Sequence, residues 1–120
     1  MSLEIGFRQI HDLTVVNVRG RITFREGASE FRESLRVVTR DGCRKILLDL
    51  GEAVYVDSSG LGVLVSEFAR VRNQGGQVKL LNPTKRVVDL LLTTGLFPLF
   101  EVFGEEAAAV RSFGEIAAPG

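Results

Sequence analysis

Between the turn signals Asp41-Gly42 and Gly51 lies a short run, Lys45-Ile46-Leu47-Leu48-Asp49-Leu50, that is apolar at almost every position. A strand with apolar side chains on both alternating faces needs cover on both, so this segment predicts a buried central strand in a sheet packed by helices. The preceding residues fit beside it. Leu3, Ile5 and Phe7 alternate with Glu4, Gly6 and Arg8, and after His11-Asp12 a second run passes through Val15, Val16 and Val18 to Gly20. That pattern predicts two strands joined by a turn.

Helical spacing fills the intervals. Thr23 followed three residues later by Glu26 has capping-box spacing, and Ala28, Phe31, Leu35 and Val38 then predict a helix running to about Arg40. Leu61, Leu64, Val65, Phe68 and Val71 predict a second helix ending near Gly75-Gly76, with Glu67, Arg70 and Arg72 elsewhere on the wheel. Gln77 to Leu81 reads as a further strand. Asn82-Pro83-Thr84 opens a third helix carrying Val87, Val88, Leu91 and Leu92, which Gly95 stops. Leu99 to Phe103 is expected as an edge strand and Glu105 to Phe113 as a last short helix. The tail 114–120 is expected to fray. The resulting order, β-β-α-β-α-β-α-β-α, predicts one α/β domain with a mixed sheet, begun by an N-terminal hairpin and continued by parallel crossovers.

Composition narrows the function. The 120 residues suffice for one core, and 45% hydrophobic against 25% charged residues is an ordinary globular balance. Fifteen basic and fifteen acidic residues cancel, so no broad positive field is present to hold nucleic acid or an anionic membrane. The apolar stretches fall far short of the roughly 20 residues that span a bilayer, and the N-terminus lacks the basic start and apolar core of a secretory signal. A lone Cys43 and a lone His11 supply neither an internal disulfide nor a structural zinc site. A soluble cytoplasmic protein without cofactor or metal is the expectation.

One segment can carry chemistry. In open α/β sheets, ligands and partners gather where a strand ends and a helix begins, and Asp57-Ser58-Ser59-Gly60-Leu61-Gly62 occupies such a junction. Two adjacent hydroxyls stand where free backbone N–H groups and the helix dipole favour an anion, so a phosphate of charge about −1.5 to −2 would be tolerated there. The same residues also read structurally: Asp and Ser are ordinary N-caps, and Gly60 and Gly62 can simply allow a helix to pack closely on the sheet.

The stretch Leu48-Asp49-Leu50, then Val54, then Val56-Asp57-Ser58-Ser59-Gly60-Leu61-Gly62-Val63-Leu64 resembles the signature of STAS domains, specifically the bacterial anti-sigma-factor antagonists. Gly20-Arg21-Ile22, Val78-Lys79-Leu80-Leu81-Asn82 and Leu91-Leu92-Thr93-Thr94-Gly95-Leu96 fall in the order of that family. The resemblance implies a STAS domain over residues 1–113. It also implies a partner switch that is not itself an enzyme. The unphosphorylated protein would bind an anti-sigma factor that is also a serine kinase, freeing the sigma factor. Phosphorylation, with ATP used by the kinase, would break the complex, and a serine phosphatase would reset it. By the same resemblance Ser58 is the phosphorylated residue, with Ser59 second, and Asp57, Ser59, Gly60, Leu61 and Thr23 lie at the partner interface. Many family members carry an aspartate near the position of Thr23, where the residue pattern alone reads as an N-cap.

Other readings find less support. A hydrolase would need a base for its serine, and His11 sits in a predicted hairpin turn far from Ser58. Asp49, read as a strand-end residue, and Asp57, read as a cap, have no third ligand at metal spacing. Gly60-x-Gly62 lacks the third glycine or the Lys-Ser/Thr of a nucleotide loop. Leu96, Phe97, Leu99, Phe100 and Phe103 form an apolar cluster, read as core or as a docking patch. A docking patch would suit the alternative function, an unphosphorylated STAS scaffold subunit of a membrane lipid-transport complex.

Overall fold

The apolar run Lys45-Leu50 does lie at the centre of the sheet. The computed structural model describes residues 3–114, so the predicted tail beyond Gly114 lies outside the described residues. The elements are β1 (Glu4–Ile10), β2 (Leu13–Ile22), α1 (Ala28–Arg40), β3 (Lys45–Val56), α2 (Ser58–Asn73), β4 (Gln77–Leu81), α3 (Lys85–Thr93), a 3-10 turn (Phe97–Leu99), β5 (Val102–Phe103) and α4 (Glu106–Ser112). The sheet order is β1-β2-β3-β4-β5. β1 pairs antiparallel with β2, and every other pair is parallel. This is the predicted α/β architecture in the predicted order.

Both faces of β3 are covered. Ile46, Leu48 and Leu50 pack with Phe31 and Leu35 of α1, Leu61 and Leu64 of α2, and Val87 and Leu91 of α3. Leu47 faces the other way, into a smaller cluster with Leu13, Val15, Leu81 and two α4-side residues, Ala109 and Phe113. Burying each large aliphatic side chain contributes about 1.5–3 kcal/mol, so the larger cluster holds α1–α3 on one face and α4 seals part of the other. Phe100 belongs to the larger cluster and meets the Phe68 ring edge-on with centroids 4.7 Å apart, so the C-terminal aromatic segment is chiefly core. Among the described residues no helix is long and apolar enough to cross a membrane.

Several boundaries differ from the sequence reading. β3 does not stop at Gly51 but continues to Val56. Its register against β2 shifts between the pairs Asn17↔Asp49 and Arg19↔Glu52, and again between Gly20↔Ala53 and Arg21↔Tyr55. Each shift gives β3 one extra residue, so Gly51 marks a bulge rather than an end. Asp49 is accordingly not at a strand end: it lies within β3, accepting from Asn17 Nδ2 at 2.9 Å and from the Gly51 N–H at 3.0 Å. β2 likewise runs past Gly20 to Ile22. The expected strand Leu99–Phe103 shrinks to Val102–Phe103, because residues 97–99 wind into the 3-10 turn.

Thr23 is not the N-cap of α1. Its hydroxyl accepts from the Glu26 N–H at 3.1 Å, and its own N–H donates to the Glu26 carbonyl at 2.8 Å, closing a turn ahead of the helix. The helix starts only after Gly27, whose φ of 99° is open to glycine and whose added Cβ would lie 2.2 Å from the Arg21 carbonyl oxygen. Glu67 also departs from the wheel pattern. It is 1% exposed, and its carboxylate pairs with Arg36 Nη2 of α1 at 3.3 Å and Arg70 Nη2 at 2.7 Å. Two guanidinium groups offset the cost of burying that charge where α1 and α2 pack together.

Candidate functional site

At the C-terminal rim of the sheet, β3 ends at Val56 and α2 begins at Ser58 with Asp57 between them. Asp57 is the helix N-cap, as its residue type predicts: Oδ1 accepts from the Gly60 N–H at 2.9 Å. The second carboxylate oxygen is also used. Oδ2 accepts from the Phe24 N–H at 3.1 Å, while the Asp57 N–H donates to the Ile22 carbonyl at 3.3 Å. One aspartate thus ties the start of α2 to the end of β2 and to the turn before α1. Partial burial works to raise the Asp57 carboxyl, but the aimed N–H groups of Gly60, Phe24 and Ser59 outweigh it, and the group is held below its ordinary value. Asp57 is therefore an anion at neutral pH.

Ser58 is the first residue of α2 and is exposed. Its hydroxyl has no hydrogen-bond partner among the described residues. The helix behind it runs 16 residues and has no acidic residue in its first turn, so its positive end is not already compensated from within α2. Ser59 is half-buried. Gly60 is buried because backbone passes close by: a Cβ there would sit 2.2 Å from the Ile22 carbonyl oxygen. Gly62, by contrast, is exposed with open space around it, so close packing explains only the first of the two glycines. Leu61 is 7% exposed and points into the core, where it anchors the helix rather than offering surface. Thr23 is half-buried in the turn that Asp57 holds.

Two features of this rim escaped the sequence reading. Phe24 is 80% exposed, the most exposed large apolar side chain described, and its backbone is bonded to the same carboxylate that caps Ser58's helix. The only signal available was an aromatic residue inside an otherwise polar turn, Thr23-Phe24-Arg25-Glu26. Near the end of β3, the Tyr55 ring meets two guanidinium groups, with Arg21 Cζ 4.9 Å and Arg86 Cζ 4.2 Å from its centroid. Arg21 comes from β2, opposite Tyr55 in the strand register, and Arg86 from the first turn of α3, so only the fold assembles the stack.

The residues of the rejected catalytic readings stay apart. His11 occupies the β1–β2 turn with φ 55°, at the opposite end of the sheet from Ser58 and about 30 Å away along β2. Asp49 to Val56 spans only the length of Asn17 to Ile22 on β2, which with one further residue puts Asp57 roughly 20 Å from Asp49. The geometry at the rim offers an accessible hydroxyl, a fixed anion beside it and an exposed aromatic ring, which suits recognition of a protein surface and modification by a partner.

Residues 4–109 match the family model of the STAS domain. The chain belongs to the STAS domain family. Its curated relatives include the anti-sigma-B factor antagonist of Bacillus subtilis (strain 168), 31% identical over 111 residues that make up 92% of this chain and 100% of that protein. Among solved structures, an anti-sigma factor antagonist from Mycobacterium paratuberculosis superposes with a TM-score of 0.83 at 18% identity, over 93% of this chain and 94% of that one. The Bacillus cell fate determinant SpoIIAA in its phosphorylated form superposes at 0.70 with 20% identity, over 91% and 99% of the two chains. These structural likenesses establish the same fold. Within this STAS domain, the Asp57-Ser58-Ser59 junction is the start of α2, and Phe24 lies on the neighbouring turn.

Proposed function

We propose that this STAS domain is an anti-sigma-factor antagonist working as a partner switch, with Ser58 as the phosphorylated residue. The observation that carries the reading is the exposed, unbonded Ser58 hydroxyl on the first turn of α2, beside a capping aspartate and the exposed Phe24. The full-length similarity to a B. subtilis protein named as an anti-sigma-B factor antagonist supports it. In this reading the unphosphorylated rim, with Asp57, Ser58, Ser59, Gly60 and Thr23 near its centre and Phe24 as its apolar contact, docks on an anti-sigma factor. That partner is also a serine kinase and uses ATP, while the STAS domain itself does no chemistry. Binding and modification take place in the cytoplasm.

The energetics favour a switch in binding over a switch in folding. A phosphate at the first turn of α2 meets the positive end of the helix, a stabilising term of about 0.3–1 kcal/mol. Asp57 stands next to it, but that carboxylate is already committed to the Gly60 and Phe24 N–H groups. At a docked interface the same dianion would be desolvated, and a cost of only about 1.4 kcal/mol weakens binding tenfold. Removal of the phosphate by a serine phosphatase restores the docking surface.

The test is to map phosphate on the protein purified from its own cells under phosphatase inhibition, and to compare partners retained by Ser58→Ala and Ser58→Asp. Phosphate on Ser58, with a kinase-like partner kept by Ser58→Ala and lost by Ser58→Asp, is the expected result. Absence of phosphate under all growth conditions, with both variants holding identical partners, would overturn it in favour of a STAS scaffold subunit of a membrane lipid-transport complex.

A further inference from the structure

The sheet has two unequal edges. β5 is two residues long, whereas β1 runs seven residues, Glu4–Ile10, paired with β2 on one side and, among the described residues, with no strand on the other. Its pairing with β2 is continuous from Glu4↔Arg19 to Ile10↔Leu13, without a bulge, and the strand contains no proline. Of the devices that protect an edge from pairing, β1 lacks bulges, prolines and very short length, and its charged residues, Glu4 and Arg8, are of opposite sign. Because a two-residue turn joins Ile10 to Leu13, the ladder alternation directs the backbone groups of Glu4, Gly6, Arg8 and Ile10 toward β2. Those of Ile5, Phe7 and Gln9 then point outward.

The side chains of this edge are complementary to themselves. An antiparallel copy placed about a two-fold axis through Gly6 sets Glu4 opposite Arg8 twice and Ile5 opposite Phe7 twice. It also makes Ile5 and Phe7 the hydrogen-bonded pair, which uses their outward N–H and C=O groups. Moving the axis one residue, to Phe7, destroys this match: Glu4 would face Ile10 and Arg8 would face Gly6. Arg8 already pairs with Glu106 of α4, and Glu4 is 4.0 Å from Arg19, so the second copy extends an existing row of alternating charge. On the helix-covered face, Phe7 is 50% exposed over a groove of about 510 Å³, lined also by Val37, Val38 and Cys43. Two α1 helices over the β2 strands of such a dimer would be three strand spacings, about 14 Å, apart. Direct helix packing needs about 8–10 Å, so a slot remains that the two Phe7 rings and two Val37 side chains fill.

We infer that β1 is a homodimerisation edge, at which a second copy of this chain adds its β1 antiparallel about Gly6 so that the two sheets become one. The axis is perpendicular to the sheet, so the two copies point their C-terminal rims in opposite directions and both Ser58 sites remain open. The dimer therefore does not depend on the switch reading, and either can fail alone.

Register decides the test. Gly6 is exposed with open space where a Cβ would be, so Gly6→Cys is compatible with the fold. In the full chain carrying Cys43→Ser, mild oxidation is expected to link Gly6→Cys into a disulfide dimer across the axis. Gln9→Cys, placed opposite Leu3 and far from its own copy, is expected to remain free of the disulfide cross-link. Sedimentation of the unmodified protein should show a monomer–dimer equilibrium weakened by salt, and Glu4→Arg, which sets like charges opposite each other, should raise the dimer dissociation constant at least tenfold. A protein that sediments as a monomer up to the highest soluble concentration, or cross-links equally well through residues 6 and 9, would overturn the inference.

Discussion

α1 and α2 begin against the same strand end, yet they are held by different means. The Arg21 carbonyl crowds the start of α1 at Gly27, and the next carbonyl along β2, that of Ile22, crowds the start of α2 at Gly60. In each case a methyl group would approach to 2.2 Å. α2 adds a side-chain cap, Asp57, whereas α1 has none and relies on a glycine at φ 99°. Asp57 also reaches across to the Phe24 N–H, so the better-capped helix start steadies the turn before the other. Proximity of backbones sets where each helix begins, and the single carboxylate couples the two beginnings.

The strongest way to break this arrangement is steric. Gly60→Ala and Gly27→Ala both force a Cβ onto a strand carbonyl, and each is expected to cost about 3 kcal/mol or more, with Gly27→Ala the worse because its backbone conformation is also unfavourable to alanine. Urea melts should show both. Gly62→Ala, two residues along α2 with open space at its Cβ, is expected instead to stabilise by about 0.5–1 kcal/mol. Equal effects at positions 60 and 62 would remove the close approach as the explanation.

Asp57→Asn and Asp57→Ala probe the coupling at smaller cost. Loss of an N-cap carboxylate is worth about 0.5–2 kcal/mol, and because Asp57 bonds two segments Asp57→Ala is expected near the upper end. The sign of its pH dependence follows from the lowered folded value. The stabilisation is fully present above the unfolded carboxyl value of about 3.9 and is lost as pH falls through the lower folded value. The stability gap between the parent chain and Asp57→Asn should therefore be constant from pH 7 to about pH 5 and close on further acidification. Amide exchange at Phe24 should quicken in the Asp57→Ala protein. The smallest effect belongs to Thr23→Ala, which removes a hydroxyl within one turn and should cost about 1 kcal/mol or less.

Element order and sheet type were readable from periodicity, because a strand apolar on both faces and helices apolar on one leave few ways to be covered. What periodicity did not carry is contact between segments distant in sequence. Gly51 reads as a stop because glycine usually is one, and only pairing with β2 turns it into a bulge. Thr23 and Glu26 have the spacing of a capping box, but the nearness of Arg21's carbonyl to Gly27 delays the helix to Ala28. Glu67 lies off the apolar stripe and is still buried, since Arg36 reaches it from another helix. At the rim, Asp57 and Ser58 were visible as a strand-to-helix junction with cap residues. Phe24 and the Arg21–Tyr55–Arg86 stack were not, for each depends on a neighbour brought close by the fold.

The contact between Gly60 and the Ile22 carbonyl bears on the speed and tightness with which the rim is recognised. A helix start pressed onto a strand has little freedom to tilt, and Ser58 inherits that fixity although its own side chain is bare. Little conformational entropy then remains to be lost by the backbone when a partner docks, so its free and bound shapes are expected to coincide. Differences in affinity among variants of this surface should accordingly appear as changes in how long a complex lasts, with the rate of encounter left nearly constant.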